Sequence, residues 1–148
     1  MPEYTFTDYR NTLFAFASDV RKALAASLPI EEWPASAGTA PSCSLRFVIN
    51  GIDFSMGHDF DHRPDLFNLD CRYGALPTGH DLAAMSKVLV MTAEIAPIGR
   101  QCFCVDAADD LVFSESLSIR ETGAADLLLR MKARAALVAS WRSGIGWK

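Results

Sequence analysis

Hydrophobic and polar residues alternate along two neighbouring segments, residues 100–105 and 111–119, which are separated by a stretch of Asp and Ala. In the second segment one side of the alternation carries Leu111, Phe113, Leu117 and Ile119. The other side carries Val112 and three serines. A period of two is typical of a β-strand with one buried face, and a short polar connection is common in hairpins. The pattern predicts a β-hairpin near the middle of an antiparallel sheet.

A second hairpin is predicted around Asn50-Gly51, which is flanked on both sides by alternating runs. Asn-Gly favours a two-residue turn because both turn positions need positive φ. The polar residues 57–65 then predict a loop. Alternation returns over residues 66–73 and predicts a third strand that ends at Gly74.

Three further segments carry apolar residues at spacings of three or four, the pattern of an amphipathic helix. The first spans residues 5–28, with Thr5 or Thr7 as the N-cap and Pro29 as the stop. The last spans residues 124–142. The apolar stripe of the middle helix consists of Leu82, Met85, Val88 and Leu89.

The predicted order of elements is therefore α-β-β-β-α-β-β-α. It indicates an α+β fold in which a five-stranded, mainly antiparallel sheet carries three helices. The chain has 148 residues, half of them hydrophobic, which suits one core. We expect residues 1–148 to form a single domain and residues 143–148 to be a loose tail.

Composition narrows the classes of function. A formal net charge of −4 disfavours a nucleic-acid binder, which would carry a basic stripe. The start lacks the features of a signal peptide, and no apolar run approaches the roughly 20 residues that span a bilayer. We expect a cytoplasmic protein that contacts no membrane and keeps its four cysteines reduced.

Candidate chemistry is sparse, and no catalytic motif is present. The densest cluster is His58, Asp59, Asp61 and His62. Two imidazoles and two carboxylates can bind a divalent metal, so a small metal-binding enzyme or sensor is an alternative; a solvated turn explains the same residues. Cys102 and Cys104 share a face of a predicted strand. Such a pair can bind a metal or undergo redox chemistry, and free cysteines also occur as small buried hydrophobes. We expect no cofactor and no enzymatic activity.

The element order, length and acidity together resemble the class I type III secretion chaperones, the Tir chaperone-like family. The resemblance is carried by the Asn50-Gly51 hairpin, by Gly-Ala-Leu-Pro before the middle helix, by residues 82–89 within it, by the hairpin of residues 102–119 and by the last helix. One departure is that residues 88–92 lack the asparagine of the family's Leu-Leu-x-x-Asn pattern.

The resemblance implies a homodimer that binds the N-terminal, non-globular segment of a secreted effector and keeps it competent for export. It implies a dimer interface at Leu82, Met85, Val88 and Leu89. A sheet covered on one face leaves its other face and its edges for an extended partner, which makes candidate effector contacts of Phe14, Trp33, Leu45, Phe47, Phe54 and Val112. An adaptor that uses this fold outside secretion is a further alternative.

Overall fold

A computed structural model describes residues 42–59, 62–75 and 82–144. It also describes nine N-terminal positions, Thr5, Asp8, Asn11, Thr12, Ala15, Phe16, Ser18, Asp19 and Lys22. For residues 42–45, 47, 83, 84, 98 and 144 the description covers the backbone alone.

Five strands form one sheet in which all neighbours are antiparallel. They are β1 (Ser42–Ile49), β2 (Ile52–Asp59), β3 (Leu66–Ala75), β4 (Gln101–Val105) and β5 (Asp110–Ser118). Two complete helices are described, α1 (Leu82–Ile95) and α2 (Ala124–Gly144), and the 3-10 turn Ala96–Ile98 follows α1. The α+β class and the five-stranded sheet agree with the prediction. Within the described ranges, neither helix is both long and apolar enough to cross a membrane.

The strand order is β1-β2-β3-β5-β4, so β3 is central and β4 lies at an edge. The prediction that the β4–β5 hairpin sits near the middle is therefore wrong. Helix α1 separates β3 from β4 in the chain, and it is β5 that pairs with β3. The nine-residue β5 is buried at Val112 as well as on its core face, which suits an inner strand. The five-residue β4 suits an edge, because short edge strands limit unwanted pairing.

The Asn50-Gly51 turn is confirmed. Both residues have positive φ, 51° and 76°, and the strands meet at the pair Ile49 and Ile52. Two strand boundaries differ from the prediction. Strand β2 continues to Asp59, into residues expected to be a loop. Strand β3 does not end at Gly74, which instead adopts a φ of 114° at a bulge that interrupts pairing with β5.

The N-terminal segment begins with a capping box. The Asp8 carboxylate accepts the Thr5 N–H at 2.8 Å, and the Thr5 hydroxyl accepts the Asp8 N–H at 3.3 Å. Thr5 is therefore the N-cap, and every described residue from Asp8 to Lys22 is helical. The Thr5 hydroxyl also donates to the Asp8 carboxylate at 2.7 Å. The hydrogen bonds that the backbone N–H and the hydroxyl of Thr5 donate to this carboxylate lower the pKa of Asp8 below its ordinary value. The other residues of the predicted first helix lie outside the described set.

The core lies between one face of the sheet and α2. The sheet contributes mainly large side chains, including Phe54, Met56, Phe67, Leu69, Tyr73 and Phe113. Helix α2 contributes Leu127, Met131, Ala135, Val138 and Trp141, as its helical spacing predicts. Phe16 of the N-terminal segment joins them, with its ring centroid 5.5 Å from that of Phe67. No helix of the described residues covers the opposite face of the sheet, which we call its open face.

Candidate protein-interaction surfaces

Helix α1 is apolar on two sides. Val88, Met91 and Ile95 are partly buried and pack against the core. The other side carries four exposed apolar residues, Leu82 (79%), Met85 (50%), Leu89 (68%) and Val90 (56%). A helix that is hydrophobic all round is usually buried, and contiguous exposed apolar patches mark interaction sites. We call these four residues the α1 patch.

The sequence predicted a single apolar stripe on this helix, whereas the structure places the residues of that stripe on two sides of the helix. Of the four predicted interface residues, Leu82, Met85 and Leu89 lie in the α1 patch. Val88 turns towards the chain's own core instead. Spacings of three and four appear on both sides of a helix this apolar, so the spacing alone does not distinguish the two stripes.

The predicted effector contacts have different environments. Phe54 is 1% exposed and belongs to the core, where strand alternation places it opposite Cys71 on the face of the sheet that α2 covers. A partner could reach it through the small cavity between α2 and the sheet, which it helps to line. Val112 is buried but lies on the open face of the sheet, where it lines a cavity. Leu45 and Phe47 are described by their backbone in β1, and Phe14 and Trp33 lie outside the described residues.

The open face of the sheet is largely polar. Ser116 donates a hydrogen bond to the Asn68 side chain at 2.7 Å across β5 and β3. Two cavities of about 460 and 340 Å³ lie on this face. Around the smaller one, Arg72 pairs with Asp106 at 2.9 Å, and Arg46 pairs with Asp53 at the same distance. This face therefore suits polar contacts rather than an apolar partner.

The predicted metal cluster is divided between the two faces of β2. His58 is 3% exposed, and its Nε2 lies 2.8 Å from the Pro64 carbonyl oxygen. Asp59 points to the opposite face and contacts Nδ1 of the exposed His62 at 2.8 Å. Asp61 lies outside the described residues. In the ranges described, no three His, Cys, Asp or Glu side chains gather as metal ligands.

The cysteines of β4 are exposed. Cys102 and Cys104 both lie on the open face of the sheet, so their interpretation as buried hydrophobes is wrong. Partial desolvation of its thiol, followed by the nearby Cys102, Asp70 and Asp106, raises the pKa of Cys104 above its ordinary value. Cys71, by contrast, lies in the core, where desolvation raises the pKa of its thiol to about 12.

A buried polar network joins α2 to the sheet, and sequence reasoning missed it. Glu115 occupies a core-facing position of β5 and is 7% exposed. It accepts hydrogen bonds from Arg130 at 2.7 Å and from Gln101 at 2.9 Å, and Arg130 also donates to Asp126 at 3.0 Å. The available signal was the polar Glu115 between the apolar Phe113 and Leu117 on one strand face.

Beside this network a cavity of about 150 Å³ opens between α2 and the sheet. We call it the α2-flank cavity. Its floor is formed by Phe54, Leu69, Cys71 and Phe113 of the sheet. Its wall is formed by Ala133, Arg134 and Leu137 of α2. The Glu115–Arg130–Gln101 network closes one end.

Comparison with known proteins identifies the fold. No protein-family model and no curated protein sequence matches the chain. Among solved structures, the chain is similar to one in the HopA1–SchA chaperone–effector complex, with a TM-score of 0.60 and 12% identity over 89% of this chain and 94% of that one. The chain is also similar to one in the complex of the Yersinia pestis type III secretion chaperone SycH with a stable fragment of YscM2. The TM-score is 0.56 and the identity 15%, over 90% of this chain and 98% of that one.

A third similar chain belongs to the heterodimeric ExoU–SpcU complex from the type III secretion system of Pseudomonas aeruginosa. It gives a TM-score of 0.52 and 15% identity over 82% of this chain and 93% of that one. The protein therefore has the fold of the type III secretion chaperones, and the similarity covers most of its length.

Proposed function

We propose that this protein is a homodimeric class I chaperone that binds the N-terminal, non-globular segment of a type III secreted effector and keeps it competent for export. The observation that carries the proposal is the fold, which is shared along most of the chain with structures of type III secretion chaperones. The proposal implies action in the bacterial cytoplasm, no catalytic activity and a complete third helix in the N-terminal segment.

The α1 patch supports the homodimer. Leu82, Met85, Leu89 and Val90 form an apolar surface that the rest of the described chain leaves uncovered. A two-fold dimer brings the same patch of two copies together. Burying one such side chain contributes about 1.5–3 kcal/mol, so covering the patch twice supplies a substantial part of the association energy. Val88 does not face the partner in this arrangement; it packs against the chain's own core and so holds α1 in place.

The outer strands of the described sheet are β1 and β4, and these are the two edges to which an extended effector segment would add. Main-chain hydrogen bonds along an edge bind any sequence, and alternate side chains then select among partners. The backbone of Leu45 and Phe47 belongs to the β1 edge, so these two remain proposed contacts. Val112 remains one on the open face, together with Phe14 and Trp33 of the N-terminal part.

The proposal is tested by deleting the gene in its native bacterium and measuring the secreted proteins. We expect one effector to disappear from the secreted fraction while other substrates of the apparatus are still exported, and complementation to restore it. An unchanged set of secreted proteins would contradict the proposal. Loss of function in an unrelated intracellular process would instead favour an adaptor role for the same fold.

A further inference from the structure

Arg134 has an unusual position for a surface arginine. It is half-buried in the wall of the α2-flank cavity. Its guanidinium carbon lies 3.5 Å from the centroid of the Phe113 ring, and its Nη1 donates to the Tyr73 hydroxyl at 3.4 Å. These two contacts hold the guanidinium over the cavity floor. Arg134 is thus a positioned cation rather than a freely moving side chain.

Its charge has no counterion in the described part of the chain. No carboxylate of that part lies within ion-pair distance of Arg134. The nearby Glu115 pairs with Arg130 instead, and its Oε1 accepts hydrogen bonds from both Arg130 and Gln101. A guanidinium has five N–H donors, and the contact with Tyr73 uses one of them. Arg134 can therefore still donate two parallel hydrogen bonds to a carboxylate, the bidentate geometry that arginine favours.

The floor of the cavity beside Arg134 is apolar, and the cavity matches one side chain in size. Its floor is the buried surface of Phe54, Leu69 and Phe113, and its volume is about 150 Å³. That is well below the roughly 300–1,000 Å³ of a typical small-molecule site, but it is sufficient for an aliphatic side chain. The exposed Leu137, at 53%, extends the apolar wall outwards.

We propose that the α2-flank cavity anchors a partner segment in which an aliphatic side chain is followed closely by Asp or Glu. The aliphatic side chain fills the part of the cavity lined by Phe54, Leu69 and Leu137, and the carboxylate pairs with Arg134. The charge of Arg134 selects the acidic residue, because a basic neighbour would leave two like charges together. This inference rests on the proposed function, since it describes one recognition element of the client.

The test uses the full chain and phage-displayed random short peptides selected on it. We expect the enriched peptides to share an aliphatic residue next to an acidic one. Binding of a selected synthetic peptide, measured by fluorescence anisotropy, should weaken about tenfold or more in Arg134→Glu. A peptide with Lys in place of its acidic residue should then bind R134E better than the original peptide does. A purely structural role of Arg134 would not produce this reversal.

Two matched controls locate the binding. Lys132→Glu makes the same charge change on an exposed part of α2 outside the cavity, and we expect binding within about twofold of wild type. Ala133→Trp fills the cavity from an exposed position while leaving Arg134 in place, and we expect it to abolish binding. Ala136→Trp adds the same bulk at an exposed position that does not line the cavity, and we expect it to have no effect.

Several results would overturn the inference: no selected peptides, peptides without an acidic preference, or equal weakening by K132E and R134E. Its failure is distinguishable from failure of the proposed function. A secreted client whose binding is unaffected by A133W would remove this anchor and leave the chaperone role intact. If an aliphatic–acidic peptide binds as described but no secreted client is found, the assignment of the cavity stands and the chaperone role is contradicted.

Discussion

Arg130 Nη1 lies 2.7 Å from Glu115 Oε1, so an ion pair joins α2 to the core-facing side of β5. The Glu115 side chain is 9% exposed and that of Arg130 is 43% exposed. The pair is therefore buried on the side of the carboxylate and solvated on the side of the cation. Removing the Arg130 cation therefore leaves a buried carboxylate without its charge partner, whereas removing the Glu115 carboxylate leaves a cation that water can reach.

We expect Arg130→Met to destabilise the protein by about 1–2 kcal/mol, because it leaves Glu115 buried with Gln101 as its remaining described partner. Urea unfolding followed by circular dichroism measures the change. Asp126→Ala is the control, since it removes the exposed partner of Arg130 and should cost less than about 0.5 kcal/mol. Equal losses in both variants would show that burial of Glu115 does not decide the energy.

Substitution of Leu89 by Asp should give a folded monomer. Leu89 is 68% exposed, so a charge there leaves the core intact but prevents two copies of the α1 patch from meeting. Light scattering measures the mass, and circular dichroism checks the fold. Leu129→Asp is the matched control, because Leu129 of α2 has the same 68% exposure and should leave the dimer unchanged. A dimeric L89D protein would contradict the proposed interface.

Replacement of Gly51 by Ala should cost about 1–2 kcal/mol of unfolding free energy. Gly51 has a φ of 76°, and a Cβ added there meets nothing within 4 Å, so the cost is conformational rather than steric. Gly123→Ala is the comparison, because its Cβ also meets nothing within 4 Å but its φ is outside the left-handed region. Chemical denaturation of both variants separates these two causes, and equal stabilities would rule out turn strain.

Asp106 should contribute to stability near neutral pH and lose that contribution in acid. Its carboxylate accepts N–H groups of Asp110 at 3.0 Å and Ala108 at 2.8 Å. These bonds, that of Asp110 foremost, and the Arg72 cation hold its pKa below the ordinary 3.8. A lowered folded pKa means that the contribution is present above 3.8 and disappears as the pH falls through the folded value.

The Asp106→Asn variant should therefore be less stable than wild type near neutral pH, and this difference should shrink as the pH falls below about 4. Urea unfolding over a series of pH values measures it. Asp109→Asn is the control, because Asp109 occupies the same turn and Asn also tolerates its φ of 61°. If the difference between D106N and wild type stayed constant down to acid, the assigned cause would be wrong.

Local signals in the sequence predicted the parts of the fold that depend on neighbouring residues. Asn50-Gly51 requires only two turn positions with positive φ. The sequence left Thr5 and Thr7 as alternative N-caps, and the two hydrogen bonds between Thr5 and Asp8 identify Thr5 as the N-cap. The core stripe of α2 follows from helical spacing. The order of β4 and β5 in the sheet was not predictable in this way, because it depends on pairing between β3 and β5 across an inserted helix.

The candidate site was less predictable, because exposure is a property of the folded chain. Val88 and Leu89 are neighbours of similar hydrophobicity, yet one packs on the core and the other faces outwards. Alternation correctly grouped Phe54 with Ile52 and Met56, but it does not state which face the helices cover. Arg134 stood in a helix with several basic residues, and only the folded structure sets it over Phe113.

The most direct test of the chaperone account is capture with the tagged protein from a lysate of its native bacterium, followed by mass spectrometry. The account predicts recovery of one larger secreted protein, and loss of that protein when its N-terminal segment is deleted. Recovery of folded intracellular proteins alone, or of a secreted protein whose capture does not depend on its N-terminal segment, would contradict it.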